Sequence, residues 1–304
     1  MLPFNLLVIL GPTATGKTRI GVQIARCLGG EIISADSRQV YRGMDLGTGK
    51  DIGEYGDIPY HLIDIKNPGE EFNVFEFKQA FVQAFHSIRS RGKLPLLVGG
   101  TGLYLESILL RYSLPEVPEN PTFRSELSVC SLSELSARLK KNKPELHNTT
   151  DLTDRGRLIR ALEIAEFART SLTSQTDLPE IQPVVFGVKW DRQALRRRIT
   201  RRLRERLEGG MIAEVKTLLA AGLSHEKLDF YGLEYRYAVR HLRGELNRND
   251  LFQKLNSAIH QFARRQETWF RRMERKGIEI RWVAGDRDPA KEILTILRDS
   301  APAP

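Results

Sequence analysis

Through the first hundred residues, strand-length runs alternate with longer stretches whose apolar residues recur at helical spacing. Leu6–Leu10, Glu31–Ala35, His61–Ile65 and Leu94–Val98 are the runs that read as strands. Between them, Lys17–Leu28 places Ile20, Ile24 and Leu28 on one helical face, and Val74–Ser90 places Phe77, Phe81, Val82 and Phe85 inward. Such βα alternation with largely apolar strands predicts a parallel sheet covered by helices on both faces. The pattern changes after Tyr112, in a stretch holding Pro115, Pro118 and Pro121. From there to Thr176 only helical spacing is found, and Val184–Val188 resumes the strand pattern. The expected organisation is a core of residues 1–112 and 181–304, interrupted by a mostly helical insertion at 113–180. Helical stretches Arg192–Ala221 and Asp250–Lys276 follow, then one short helix after Asp286 and a frayed end at Ala301–Pro304.

The sharpest chemical signal lies between the first strand and the first helix. Gly11-Pro12-Thr13-Ala14-Thr15-Gly16-Lys17-Thr18 is a complete G-x-x-x-x-G-K-T phosphate loop in the strand-to-helix setting its mechanism requires. Glycines let backbone N–H groups converge, and the helix N-terminus adds positive potential where phosphate oxygens would lie. Lys17 supplies a point charge, and the Thr18 hydroxyl suits Mg²⁺. The loop is of the kind found in nucleotide-binding, ATP-binding proteins, so the expected fold is a P-loop NTPase-like α/β sheet. Diphosphate or triphosphate binding follows from the loop, but no particular reaction does. The strand Leu94–Val98 ends in Gly99-Gly100-Thr101-Gly102, where a motor-type protein would often carry an Mg²⁺-binding aspartate, and Asp64 is the remaining candidate for that role. After the second strand comes Asp36, which either lines the crevice at the strand ends or caps a following helix.

Composition narrows the class. With 41% hydrophobic and 28% charged residues the chain is of ordinary globular make-up, and it has no apolar run long enough to span a bilayer. The apolar run ending at Leu10 leads into a glycine-rich turn and reads as a strand, not a signal peptide. Two distant cysteines and six scattered histidines show no metal-ligand or disulfide framework, as in a reduced, cytoplasmic protein. The net charge of +9 is uneven: residues 1–150 carry 17 Lys and Arg against 16 Asp and Glu, whereas 151–304 carry 30 against 22. The basic second half fits either a polyanionic partner or a solvated face. Its densest part is the arginine row Arg192, Arg196, Arg197, Arg198, Arg201, Arg202, Arg204 and Arg206.

Several ordered blocks resemble one family, the tRNA dimethylallyltransferases, also called tRNA isopentenyltransferases. They are Gly11–Thr18, Glu31–Thr48, His61–Asp64, Arg91–Tyr104, Arg157–Glu163 and Ala263–Phe270, spread over most of the chain. The resemblance implies a phosphate-loop core with a helical insertion that together grip a tRNA anticodon stem–loop. It implies transfer of a dimethylallyl group from dimethylallyl diphosphate to N6 of adenine 37, with the phosphate loop and Mg²⁺ holding the diphosphate. Asp36 matches the residue that accepts the amine proton, and Lys17 and Thr101 lie close to the reacting groups. Asp36, Ser37, Arg38 and Gln39 match the segment that contacts the target base. Arg157 and Arg160 match a second tRNA-contacting segment. Relatives of this kind usually act as monomers.

Two stretches depart from the family pattern. Many members carry Ile-Gly-Tyr-Lys or Ile-Gly-Tyr-Arg, closely preceded by an arginine that helps hold the diphosphate. Here the stretch reads Phe230-Tyr-Gly-Leu-Glu-Tyr-Arg236 without that arginine, and Arg236 is one candidate substitute. The stretch before the Arg157 helix is also altered, to Asn148-Thr-Thr-Asp-Leu-Thr-Asp154. A prenyltransferase acting on free adenylate, a nucleotide kinase and a catalytically silent tRNA-binding protein are the competing readings.

Overall fold

The structure is a computed structural model that describes residues 3–112, 117–142, 152, 154–170 and 178–300. Six strands, β1 (Leu6–Leu10), β2 (Gly30–Ala35), β3 (Tyr60–His61), β4 (Leu94–Gly99), β5 (Pro183–Lys189) and β6 (Arg281–Ala284), form one sheet. Their order is β3-β2-β4-β1-β5-β6, and every neighbouring pair is parallel. All carboxyl ends therefore open on the same side of the sheet.

Alternation along β1 decides which helices pack where. Leu7 and Ile9 join the layer of α1 (Lys17–Leu28), and the cluster includes Ile20, Ile24 and, from the last helix of the chain, Ile293 and Leu297. Leu6, Val8 and Leu10 face the other layer, with Phe77, Phe81 and Phe85 of α2 (Val74–Ser90) and Tyr104, Leu105 and Ile108 of α3 (Gly102–Leu109). Asn73 opens α2 with a complete capping box, its side chain accepting from Phe75 and Glu76 N–H. Val82 lies on the margin of this core, half-buried.

The described residues divide into two compact units, one from Met1–Tyr112 with Leu178–Pro304 and one from Ser113–Asp177. The smaller unit holds α4 (Pro121–Ser128), α5 (Leu132–Asn142) and α6 (Arg155–Thr170) around its own core of Leu127, Leu135, Leu139, Leu158 and Leu162. Beneath it Glu163 is 3% exposed and gathers Arg124, Arg160 and the N–H of Asn120. In the larger unit follow α7 (Arg192–Glu208), α8 (Met211–Ala220), α9 (His225–Phe230), α10 (Leu233–Leu242), α11 (Arg248–Arg275) and α12 (Pro289–Asp299).

Several sequence expectations are corrected here. The strand expected at His61–Ile65 stops at His61, because Leu62 and Asp64 adopt left-handed backbone at φ 65° and 54°. The helical stretch 192–221 is two helices, broken at Gly209-Gly210, with Gly210 at φ 102°. Strand β6, helix α9 and helix α10 are not among the elements expected from the sequence. Ala301–Pro304 and Asn148–Asp151 lie outside the described residues.

The carboxyl of Glu163 is held down to about 2: burial alone would push it up, but hydrogen bonds from Arg124, the Asn120 N–H and Arg160 outweigh that. A carboxyl depressed from its ordinary 4.5 contributes stability above pH 4.5 and loses it as pH falls toward 2. Glu163→Gln is therefore expected to flatten that part of the acid-unfolding curve of α4–α6, as read by amide hydrogen exchange. An acid limb identical to wild type would show that Glu163 carries none of it.

Candidate active site

Three adjacent strand ends supply the site. β1 runs into the phosphate loop at Gly11, β4 into Gly100 and Thr101, and β2 into Asp36, in the lateral order β2-β4-β1. Ala35 is in register with Gly99, and Ala35 O accepts from Thr101 N–H at 3.1 Å. Thr101 Oγ1 in turn accepts from Ser37 N–H at 3.1 Å. Asp36 Oδ1 accepts from Arg38 N–H at 2.9 Å. No helix follows Asp36 directly, so the helix-cap reading of that residue is replaced by a local turn bond.

Within the loop, Gly16 takes a left-handed conformation (φ 86°) that leads into α1 with no side-chain cap, leaving the first helical N–H groups directed at the loop. Ala14 also has positive φ (65°), a strained setting for a residue with a Cβ. Two helices hold it there. Ala14 packs against Leu195, Ile199 and Leu203 of α7 and Ile259 and Ala263 of α11. Arg198 Nε donates to Ala14 O at 2.8 Å while its guanidinium lies 4.1 Å from the Trp190 ring centre. Trp190 Nε1 donates to Thr15 O at 3.2 Å. Pro12 O accepts from both Thr15 Oγ1 and Lys17 Nζ, at 2.9 and 2.8 Å.

Gln266 of α11 clasps two strand ends together. Its Oε1 accepts from Thr13 N–H at 2.8 Å and its Nε2 donates to Gly100 O at 2.9 Å. A Cβ at position 100 would stand 2.6 Å from Gln266 Nε2, so a larger residue there must displace that side chain. The Ala263–Phe270 block holds Gln266, but nothing in its spacing assigned the residue to the loop.

The charges around the loop are dense and largely of one sign. Burial, then the nearby Arg202, lower Lys17 to about 7, against an opposing pull from Asp36. Burial and then Arg206 lower Arg202 to about 10. Arg202 Nη2 donates to Thr13 Oγ1. At Thr18, the hydroxyl engages Tyr55, whose phenol burial pushes up. Among the described residues no group of three or more His, Cys, Asp or Glu could hold a metal ion. A single hydroxyl beside bound phosphates is nevertheless a setting that suits Mg²⁺, which keeps most of its shell from water and substrate. Asp64 is committed elsewhere, to Lys50, which also bonds Asp45 (2.7 Å) and Tyr41 O (2.6 Å).

The segment after Asp36 is stapled down. Gln39 is 8% exposed, accepts from Ser34 Oγ at 3.1 Å and donates to Gly49 O at 3.0 Å. Its amide is thus occupied within the chain. Glu214 of α8 accepts from three successive N–H groups, Asp45, Leu46 and Gly47. Arg38 lies 4.8 Å from the ring centre of Phe230, which is 61% exposed.

In the smaller unit Arg157 is exposed on α6, whereas Arg160 is turned to Glu163 (2.6 Å) and Val117 O (2.7 Å). The arginines of α7 separate by face: Arg192, Arg196, Arg197, Arg201 and Arg204 are exposed, and Arg198, Arg202 and Arg206 turn inward. The inward three stand at i, i+4 and i+8, the spacing of one helical face. Arg236 is exposed and donates to Asp229 O. Phe270 is core, fully buried, and Trp269 stacks with Arg272 at 4.1 Å.

Fold and loop together define a phosphate-loop α/β protein with a helical unit inserted in it. The family model described as IPP transferase matches residues 39–273, and that described as isopentenyl transferase matches 4–55. The chain is 62% identical over 297 residues to tRNA dimethylallyltransferase 1 of Geotalea uraniireducens, covering 98% of each chain. It is also 62% identical to tRNA dimethylallyltransferase 2 of Syntrophotalea carbinolica, over 96% of this chain and 98% of that one. The solved tRNA isopentenylpyrophosphate transferase of Bacillus halodurans superposes with a TM-score of 0.71 at 34% identity, covering 97% of this chain and 95% of that one. A eukaryotic dimethylallyltransferase acting on tRNA shares the fold, with a TM-score of 0.78 at 22% identity, over 97% of this chain and 78% of that one. The chain belongs to the tRNA dimethylallyltransferase family, a family of prenyltransferases. No helix among the described residues is long and apolar enough to cross a membrane.

Gly100→Ala is expected to displace Gln266 from both Thr13 N–H and Gly100 O. Losing two such bonds should weaken binding of inorganic diphosphate by about thirtyfold, at roughly 1 kcal/mol per bond. Calorimetric titration checks this, and unchanged affinity would show that the Gln266 clasp does not shape the loop.

Proposed function

We propose that this protein transfers the dimethylallyl group of dimethylallyl diphosphate to N6 of adenine 37 in tRNA, releasing diphosphate. The observation that carries this reading is the meeting of Asp36, Thr101 and the phosphate loop at three neighbouring strand ends, in a member of the dimethylallyltransferase family.

The chemistry suits these groups. An adenine amino group is a weak nucleophile because its lone pair is delocalised into the ring. In the transfer, N6 forms a bond to C1 of the prenyl group as the bond from C1 to the diphosphate oxygen breaks. The N6 proton passes to the Asp36 carboxylate, and the bonding pair leaves on the diphosphate. Lys17 and the loop N–H groups of Gly11–Thr18 stabilise the charge that gathers there. An anion in the loop favours protonated Lys17, offsetting the burial and the Arg202 charge that lower it. Mg²⁺ held by the Thr18 hydroxyl and the phosphates would add further charge neutralisation. Thr101 Oγ1, already fixed by Ser37 N–H, presents its proton to a phosphate oxygen or to the amine.

On the RNA side, the adenine leaves its stack to reach Asp36. Ser37 and Arg38 flank it, and the exposed arginines of α7 together with Arg157 take the phosphate backbone. Arg160 and Gln39 act on the protein side, holding Glu163 and the Gly49 turn. The chain works as a cytoplasmic monomer.

Incubation with Mg²⁺, dimethylallyl diphosphate and unmodified tRNA, followed by mass spectrometry of the nucleosides, is expected to yield N6-dimethylallyladenosine. Asp36→Asn should lower kcat by roughly a hundredfold or more, the span of a general base. Product on free AMP alone would reassign the protein to adenylate prenylation. Tight tRNA binding without product would make it a binding protein.

A further inference from the structure

The inward face of α7 carries three arginines, Arg198, Arg202 and Arg206. Arg198 reaches Ala14 O and Arg202 reaches Thr13 Oγ1, so two successive turns of the helix end on two successive loop residues. The third member of that row, Arg206, is different. It is 7% exposed, and its Nη2 is buried with no hydrogen-bond partner. The nearest carboxylate oxygen to it in an ion pair, Asp51 Oδ2, stands at 3.8 Å, too far for a hydrogen bond. The guanidinium instead lies over Gly49, where an added Cβ would fall 1.8 Å from Nη2. Gly49 (φ 67°) leaves room for the fork.

A buried guanidinium with an unused donor is costly, and the like charge of Arg202 one turn away adds repulsion. Burial and then Arg206 lower Arg202, while Glu234, Asp51 and Asp36 pull the other way. Glu234 is itself pushed up by burial, against the pull of Arg206 and Arg202. Neighbouring carboxylates therefore offset this charge only in part. A planar fork with free N–H groups is the side chain best matched to phosphate oxygens. The turn between α9 and α10 offers no cation in its place. Tyr231 there is buried, its hydroxyl accepting from Gly69 N–H at 2.5 Å, and Arg236 is exposed on Asp229 O.

We propose that Arg202 and Arg206 form a second anion-binding element beside the phosphate loop, a guanidinium pair that grips the diphosphate of the prenyl donor. The proposal rests on the reading of the loop as a diphosphate site and adds which residues complete it. Lys17 and the loop amides take the diphosphate along the loop, and the α7 pair takes it from the side of Thr13.

The test uses the full chain and inorganic diphosphate, titrated calorimetrically, with steady-state kinetics on dimethylallyl diphosphate alongside. Arg202→Met, Arg206→Met and Arg206→Gln each remove one charge, the last two with apolar and polar replacements so that one suits the buried space. Each variant is first compared with wild type by thermal melting. Affinity for diphosphate is expected to fall by about tenfold to a hundredfold, the range for a charge-assisted hydrogen bond. KM for the prenyl donor should rise with it, while KM for tRNA stays unchanged. Arg236→Ala should bind diphosphate as wild type does. Folded Arg202 and Arg206 variants with wild-type diphosphate affinity would overturn the pair. A wild-type protein that fails to bind diphosphate would instead overturn the phosphate-loop reading on which the pair depends.

Discussion

The parallel pairing of β2, β4 and β1 is the constraint on which the rest of this molecule depends. Parallel strands place all their carboxyl ends on one side, and here three neighbouring ends carry Asp36, Thr101 and the phosphate loop. The close pairing of Ala35 with Gly99, the Thr101 N–H on Ala35 O and the Gln266 clasp fix those ends to within hydrogen-bond tolerance. A shift of one residue in β4 would carry Thr101 away from Ser37 and turn Leu97 from one core layer toward the other.

Around that frame the protein concentrates half-buried and buried positive charge. Lys17, Arg198, Arg202 and Arg206 converge with few full counter-charges, and the effect on Lys17 and Arg202 is a weakened hold on their protons. Like charges held this close, away from water, are costly unless an opposite charge meets them. The cost is offset by the apolar contacts of α7 and α11 beneath the loop and by the carboxylate of Glu214, which binds the backbone of the neighbouring segment. The buried Lys50, with Asp45 and Asp64 around it, secures the other end of the same segment.

The smaller unit follows a separate logic. It has its own leucine core and its own buried acid, so its helices need no surface of the sheet to account for their order. Arg160 illustrates how one residue type can be read in two ways: arginine in a basic stretch suggests RNA, yet its guanidinium is spent on Glu163 and a carbonyl.

Much of this was legible beforehand where local chemistry decides structure. Apolar runs and helical spacing marked β1, α1, α2, β4 and β5 closely, because these strands hold continuous buried runs and the helices repeat their buried residues at helical spacing. The phosphate loop was legible because glycines, Lys17 and Thr18 must stand at fixed spacing after a strand. Short, half-exposed β6, the early stop of β3 and the break at Gly210 were not, since left-handed residues and edge pairing leave little periodic trace. Tertiary structure alone decided that Gln39 faces inward, that Asp64 belongs to Lys50, and that Gln266, Arg198 and Arg202 bond the loop. Those partners lie far apart in the chain, up to 253 residues for Thr13 and Gln266, and only the packing of α7 and α11 over β1's loop brings their charges and amides within reach.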